Sequence, residues 1–250
     1  MNVEQYRAVK GYSYSTLKAY IKSPLHGATQ EYPPQTPAMR FGIAVDLILK
    51  GQRDDVIINP FDDGRTKAAK EFKEEHKRRC VLSGEEMKRA EALVAAVLNN
   101  SNVKKMCLDM ATPDEPLFGR YDDVPIKGLP DWKLDNILID LKTTGGGVDA
   151  PSFAKAVESF HYDLQAAMYS LIAEQMGAVA PEFFWIVVES DTPFDVAVYK
   201  ATPEIIEVGR RKFARAIKHL KMAQQGDLFG QVSEIKLLSM PPWYGRDFQE

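Results

Sequence analysis

The segment Gly128-Leu129-Pro130-Asp131, followed by Trp132-Lys133-Leu134-Asp135-Asn136 and Ile137-Leu138-Ile139-Asp140-Leu141-Lys142-Thr143-Thr144, decides how the rest of the chain is read. Side chains of a strand alternate between its faces, so Asp140 and Lys142 share one face of this apolar stretch while Ile139 and Leu141 take the other. A carboxylate and an ammonium in such company are costly unless paired, hydrogen-bonded or committed to a metal. Asp131 follows a proline bend, and a chain return at Asp135-Asn136 brings it beside Asp140. Adjacent carboxylates repel each other, and a divalent cation that prefers hard oxygen ligands, Mg²⁺ above all, relieves the repulsion. A lysine beside the pair can orient an attacking water and stabilise charge on a phosphate, which together describes metal-assisted phosphodiester hydrolysis. The same spacing also suits a buried Asp–Lys ion pair with Asp131 as a turn former, because short Asp-x-Lys strings are common.

Further residues bear on that choice. Asp46 lies within Val45-Asp46-Leu47-Ile48-Leu49, an apolar helical run in which an ionised carboxylate needs a partner such as a metal; nearby Arg40 and Lys50 leave a half-solvated face as the alternative. Glu115 precedes the first strand, as another oxygen ligand or a solvated strand-edge acid. Tyr162, Gln165 and Tyr169 fall on one helix face, with polar tips that reach a substrate or simply pack in the core. His26, His76, His161 and His219 have no metal-ligand spacing, and Gly145-Gly146-Gly147 reads as a turn because no Lys-Ser/Thr follows it.

Outward from this centre the chain reads as helices, then strands, then helices. Ser13 leads into a helix over Tyr14, Leu17, Tyr20 and Ile21 that Ser23-Pro24 stops. Thr36 caps and Pro37 opens a second helix that ends at Gly51. Ser83 and Glu86 form a capping box before Met87, Leu93, Val94 and Val97. After Pro113 the period shifts toward two in LFGRY, VPIKG and ILIDLKTT. One helix is then expected from Ser152 to Gln175, two strands around FFWIVVES and FDVAVYKA, a basic amphipathic helix from Glu204 to Gln225, and a tail with Pro241-Pro242-Trp243. The expected class is α/β (α+β): a central mixed β-sheet flanked by helices. It is read as one domain over residues 1–250, with a helical part over 1–110, a catalytic sheet core over about 111–200, and a C-terminal helix and tail over 201–250.

With 45% hydrophobic residues the chain can bury a full core, and its two cysteines, Cys80 and Cys107, are too few for a disulfide framework or a four-cysteine metal site. No apolar run approaches the ~20 residues of a membrane span, so a cytoplasmic protein without membrane contact is expected. A net charge of −3 rules out a globally basic DNA-binding surface and makes any DNA contact local. Lys67-Lys70-Lys73, Lys77-Arg78-Arg79, Arg210-Arg211-Lys212 and Lys218-Lys221 are candidates for tracking phosphate, or else solvated helix faces.

The ordered set Ser13-Tyr-Ser-Thr-Leu17, Phe41-Gly-Ile-Ala-Val-Asp46, Arg65-Thr66, Pro130-Asp131, Asp140-Leu-Lys142-Thr-Thr144, Tyr162-x-x-Gln165-x-x-x-Tyr169 and Leu237-Leu-Ser-Met-Pro241 resembles the nuclease domain of RecE-type exonuclease VIII, in the lambda-exonuclease-like part of the PD-(D/E)XK superfamily. The resemblance runs over almost the whole chain. It implies Asp131, Asp140 and the Leu141 carbonyl as metal ligands, Lys142 as the residue assisting the water, and Gln165 and Glu115 as supporting members. Asp46 is carried over as a ligand, although such nucleases commonly place His there, and carboxylate for imidazole changes the charge at the metal. Arg65, Thr66, Lys67, Tyr162 and Tyr169 become candidate DNA contacts. The implied activity is 5′-to-3′ digestion of linear double-stranded DNA with Mg²⁺, Mn²⁺ substituting, leaving a 3′ single strand for an annealing protein in phage or prophage recombination within a bacterial host. A homo-oligomeric ring, trimer or tetramer, is the implied assembly. A RecB-like nuclease of other polarity or structure specificity, and a non-catalytic DNA-binding protein of the same fold, are the rival readings.

Overall fold

The computed structural model describes residues 3–31, 34–61, 64–77, 79–106, 108–229 and 237–240; Arg78, Cys107 and Pro241-Pro242-Trp243 lie outside the described residues. Its first part is helical. A short helix α1 (Val3–Ala8) precedes α2 (Tyr14–Tyr20), and Ser23-Pro24, which ends α2, also opens α3 (Pro24–Ala28) because the Ser23 hydroxyl accepts the His26 N–H. In α4 (Pro37–Leu49) the Thr36 hydroxyl accepts the Met39 N–H, proline takes the first turn, and Gly51 at φ +75° follows the end, as the sequence indicates. A parallel pair, β1 (Val56–Ile58) and β2 (Cys80–Leu82), brackets α5 (Lys67–Glu75). The capping box of Ser83 and Glu86 then starts α6 (Gly84–Asn99), which runs on to α7 (Ser101–Lys105).

The central sheet comes next: β3 (Thr112–Pro113), β6 (Trp132–Leu134), β7 (Ile137–Thr144), β8 (Glu182–Glu189) and β9 (Val196–Lys200) lie side by side in that order. Only β7 and β8 are parallel, so the sheet is mixed as expected. The stretches LFGRY and VPIKG do form strands, β4 (Leu117–Tyr121) and β5 (Val124–Gly128), but they make a hairpin of their own outside this sheet. The crossover from β7 to β8 is helical, as a parallel pair requires. It is not the single helix that the periodicity indicates over Ser152–Gln175. His161 adopts a left-handed backbone at φ +60° and splits it into α8 (Ala150–Phe160) and α9 (Tyr162–Gln175). The chain turns there while the apolar pattern continues through it, which is why period alone misses the break. The chain continues through α10 (Pro203–Gln224). Among the described residues no helix is long and apolar enough to cross a membrane.

Each face of the sheet is covered by its own apolar cluster. Leu138, Phe183, Trp185 and Val187 pack with α2, α8, α9, α10 and the hairpin. Trp132, Ile139, Ile186 and Val188 face α4, α6 and the small β1–β2 pair. The alternation read from Ile137–Thr144 is thereby realised: Leu138 and Ile139 are both buried, on opposite faces.

The α9–α10 contact is tight at one point. An added Cβ on Gly209 would lie 2.0 Å from the Asp163 carbonyl oxygen and 2.6 Å from its carbon, both backbone atoms that cannot rotate away. Gly209→Ala is therefore expected to destabilise the protein by about 1–3 kcal/mol through overpacking, where Gly→Ala in an open helix would stabilise by about 1 kcal/mol. Urea unfolding reads the sign directly, as a lower midpoint with an unchanged slope.

Candidate active site

Register builds the site. In the antiparallel β6–β7 pair the ladder ends at Trp132 opposite Ile139, and Asp131, the residue before Trp132, comes beside Asp140 and Leu141, which follow Ile139. In β3–β6 Pro113 stands opposite Trp132, so one step further Asp114 faces Asp131, and the Asp114 N–H donates to the Asp131 carbonyl at 3.2 Å. Asp114, just past the end of β3, and Asp131, just before the start of β6, thus lie beside Asp140 in the middle of β7. Asp114 adopts φ +51°, a conformation that a short polar side chain tolerates, and this lets the chain leave β3 there.

Asp131 joins two groups of charges. Its Oδ2 accepts the Leu141 N–H at 2.6 Å, and its Oδ1 lies 3.4 Å from Lys50 Nζ. On one side Asp46, from α4, and Asp114 share that same lysine at 2.7 Å each. Oxygen atoms of Asp46, Asp114 and Asp131 all lie within 4.8 Å of one another, a grouping able to hold a metal ion. On the other side Asp140 is buried, accepts the Gln165 amide at 2.6 Å and lies 2.5 Å from Lys142 Nζ. The Tyr162 ring centroid lies 4.3 Å from that ammonium. Extended strand geometry sends the N–H and C=O of a residue toward the same edge, so the Leu141 carbonyl leaves β7 on the side of Asp131.

The electrostatics reflect burial first. Burial, with Asp131 close by, pushes the Asp46 carboxyl up to about 8 against the opposing pull of Lys50. Burial pushes Asp140 up to about 6, with Lys142 opposing and Asp131 adding to the rise. For Lys142 burial acts downward, but Asp140 and Tyr162 outweigh it and hold the ammonium above the ordinary lysine value. Lys50 behaves alike: burial lowers it, and Asp131 and Asp46 more than offset that.

The donor set fits a divalent cation. It consists of hard carboxylate oxygens, and Asp46 Oδ1 is buried without a hydrogen-bond partner, as is Asp140 Oδ2 apart from its ion pair with Lys142. A cleft of about 940 Å³ opens onto Asp46, Asp131, Asp140, Leu141 and Lys142, with Phe160, Tyr162 and Lys155 from the crossover along its wall.

The other expected site residues divide. Gln165 and Tyr162 reach the cleft region through Asp140 and Lys142. Tyr169 does not line the cleft; it is buried, with its ring against Gly128. Glu115 turns from the cluster to Lys133 at 2.7 Å, and the carboxylate that joins the cluster is its neighbour Asp114. Arg65, Thr66 and Lys67 begin α5, where Thr66 caps the helix, and none of the three lines the cleft. The basic groups proposed to track phosphate are mostly engaged with acids: Arg210 with Glu174, Arg211 with Glu207, Lys212 with Asp163 and Lys221 with Asp122. Asp114 and Lys155 carry no sequence signal for a site, and Lys50, which in the sequence marks a half-solvated helix face, is instead enclosed among the acids by how the elements pack.

A family model described as the PDDEXK-like domain of unknown function (DUF3799) matches residues 13–235. No curated protein matches the chain. Among solved structures, a provisionally assigned exonuclease from Eubacterium rectale superposes with a TM-score of 0.69 at 15% identity over 96% of either chain. A phage-related exonuclease from Haemophilus somnus 129PT matches at 11% identity over 73% of this chain and 93% of its own, with a TM-score of 0.37. The likeness to the first shows a shared fold.

Asp114 and Glu115 separate cleanly by substitution. Asp114→Asn is expected to weaken Mn²⁺ binding by about tenfold or more, while Glu115→Gln changes it by no more than about twofold, since that side chain only forms a partly exposed ion pair. Titration calorimetry of both variants decides between the two neighbours.

Proposed function

The chain belongs to the PDDEXK-like domain family, and from that premise we propose that it is a metal-dependent nuclease whose active centre is the aspartate row with Lys142. The observation that carries the reading is the placement of Asp114 and Asp131 at the ends of β3 and β6 beside Asp140 in the middle of β7, with the Lys142 ammonium 2.5 Å from Asp140. A divalent ion held by Asp46, Asp114 and Asp131, with Asp140 and the Leu141 carbonyl alongside, would supply Lewis acidity toward a phosphoryl oxygen and toward a water.

The protein's own groups do the rest. Asp131 is fixed by the Leu141 N–H, so its carboxylate is already oriented before any ligand arrives. Gln165 fixes Asp140 in the same way. Lys142 is kept charged by Asp140 and Tyr162 and opens onto the cleft, where it positions the water that attacks phosphorus and stabilises the negative charge that grows on the phosphate oxygens. Lys155 lines the same cleft and offers a second positive contact to the strand being cut.

The finer reading is a 5′-to-3′ exodeoxyribonuclease that digests linear duplex DNA with Mg²⁺ and works as a ring beside an annealing protein. Its support is the order of motifs from Ser13 through Gln165 and the cleft's pairing of carboxylates with lysine. Linear duplex labelled at either end, incubated with Mg²⁺ or with chelator and compared with a closed circle, tests it. Early Mg²⁺-dependent release of the 5′ label with an intact circle is the expected result. A cut circle leaves a nuclease but removes end dependence. Lys142→Ala is expected to lower turnover by about a hundredfold or more with Mn²⁺ affinity kept within a few-fold. An unchanged rate would remove Lys142 from the chemistry.

A further inference from the structure

Lys50 follows α4 directly, one helical turn beyond Asp46, where a lysine would ordinarily extend into water. Here its side chain is 1% exposed. Its Nζ lies 2.7 Å from Asp46 Oδ2, 2.7 Å from Asp114 Oδ1 and 3.4 Å from Asp131 Oδ1, and the Trp132 ring centroid is 5.4 Å away. These are the same three carboxylates whose oxygens converge within 4.8 Å. An ammonium is a compact point charge with three donors, and three carboxylates receive it.

We propose that Lys50 is the resident counter-cation of the metal cluster, which a divalent ion must displace in order to bind. The inference rests on the metal-site reading above and goes beyond it by assigning the chain an internal competitor for its own metal. Two cations cannot share the space among these oxygens without strong repulsion, so occupancy by one requires the other to withdraw. Lys50 satisfies the cluster incompletely, because Asp46 Oδ1 remains buried and without a hydrogen-bond partner. A doubly charged ion with several open coordination positions engages such an oxygen where the ammonium does not. Lys50 lies just beyond the last helical residue, so rotation about its own side-chain bonds releases it without unwinding α4. The consequence is a threshold: carboxylates that would otherwise repel one another stay assembled at low metal concentration, and metal affinity is lower than the same oxygens would give alone.

Lys50→Met keeps the apolar stem and removes the charge, and Mn²⁺ is the probe. Calorimetry is expected to show Mn²⁺ binding tighter by about tenfold or more in the variant, and thermal unfolding to show a lower midpoint without metal and a larger rise on adding Mn²⁺. Equal or weaker Mn²⁺ affinity in the variant overturns the proposal. Should the variant not fold, the natural chain supplies the test through an amine-reactive label quantified at Lys50: protected in chelator and modified at saturating Mn²⁺ is the expected pair, and protection in both conditions overturns it. Failure of Mn²⁺ to bind either protein removes the metal site itself. Mn²⁺ binding by the natural chain with unchanged affinity in Lys50→Met and unchanged protection of Lys50 removes only the counter-cation role.

Discussion

Mutual repulsion among carboxylates brought together across adjacent strands is the constraint around which this molecule is arranged. Register alone creates it: pairing Pro113 with Trp132 and Trp132 with Ile139 commits Asp114, Asp131 and Asp140 to neighbouring positions, and α4 adds Asp46 from above. A one-residue slip in either ladder would turn these side chains to the opposite face, so the apolar residues that fix register, Leu138 and Ile139 on β7 above all, also fix the site.

The surrounding groups offset that repulsion in two ways. Fixed donors, the Leu141 N–H for Asp131 and the Gln165 amide for Asp140, satisfy single oxygens and set their direction. Two ammonium groups neutralise charge, Lys50 enclosed among the acids near α4 and Lys142 beside Asp140 at the cleft. What remains is an incomplete balance, with Asp46 pushed up to about 8 and Asp140 to about 6 by burial and like charge. Such perturbation is characteristic of functional sites, and here it marks oxygens that an added cation would relieve.

The sequence exposes this site unevenly, for physical reasons. Asp140 and Lys142 are legible because an eight-residue strand long enough to show alternation carries them. Asp114 is not, because β3 is two residues long and has no period to read, and between the adjacent acids Asp114 and Glu115 only the ladder decides. Lys50 stands four residues from Asp46, a spacing visible in the chain, yet burial at a helix end depends on Trp132 and Asp114 arriving from elsewhere. The break at His161 depends on one backbone angle, and the separate hairpin of β4 and β5 depends on which edges find partners. Neither leaves a mark on hydrophobic period. The engagement of the basic runs on α10 is invisible in the sequence for a related reason, since their acidic partners Glu174, Asp163 and Asp122 lie far away along the chain.

Crystals grown with Mn²⁺ and measured for anomalous scattering would test the central claim most directly. A strong peak is expected among the oxygens of Asp46, Asp114 and Asp131, on the side from which Asp140 and the Leu141 carbonyl approach. No peak there at saturating Mn²⁺, with Lys50 still bridging the three carboxylates, would contradict it.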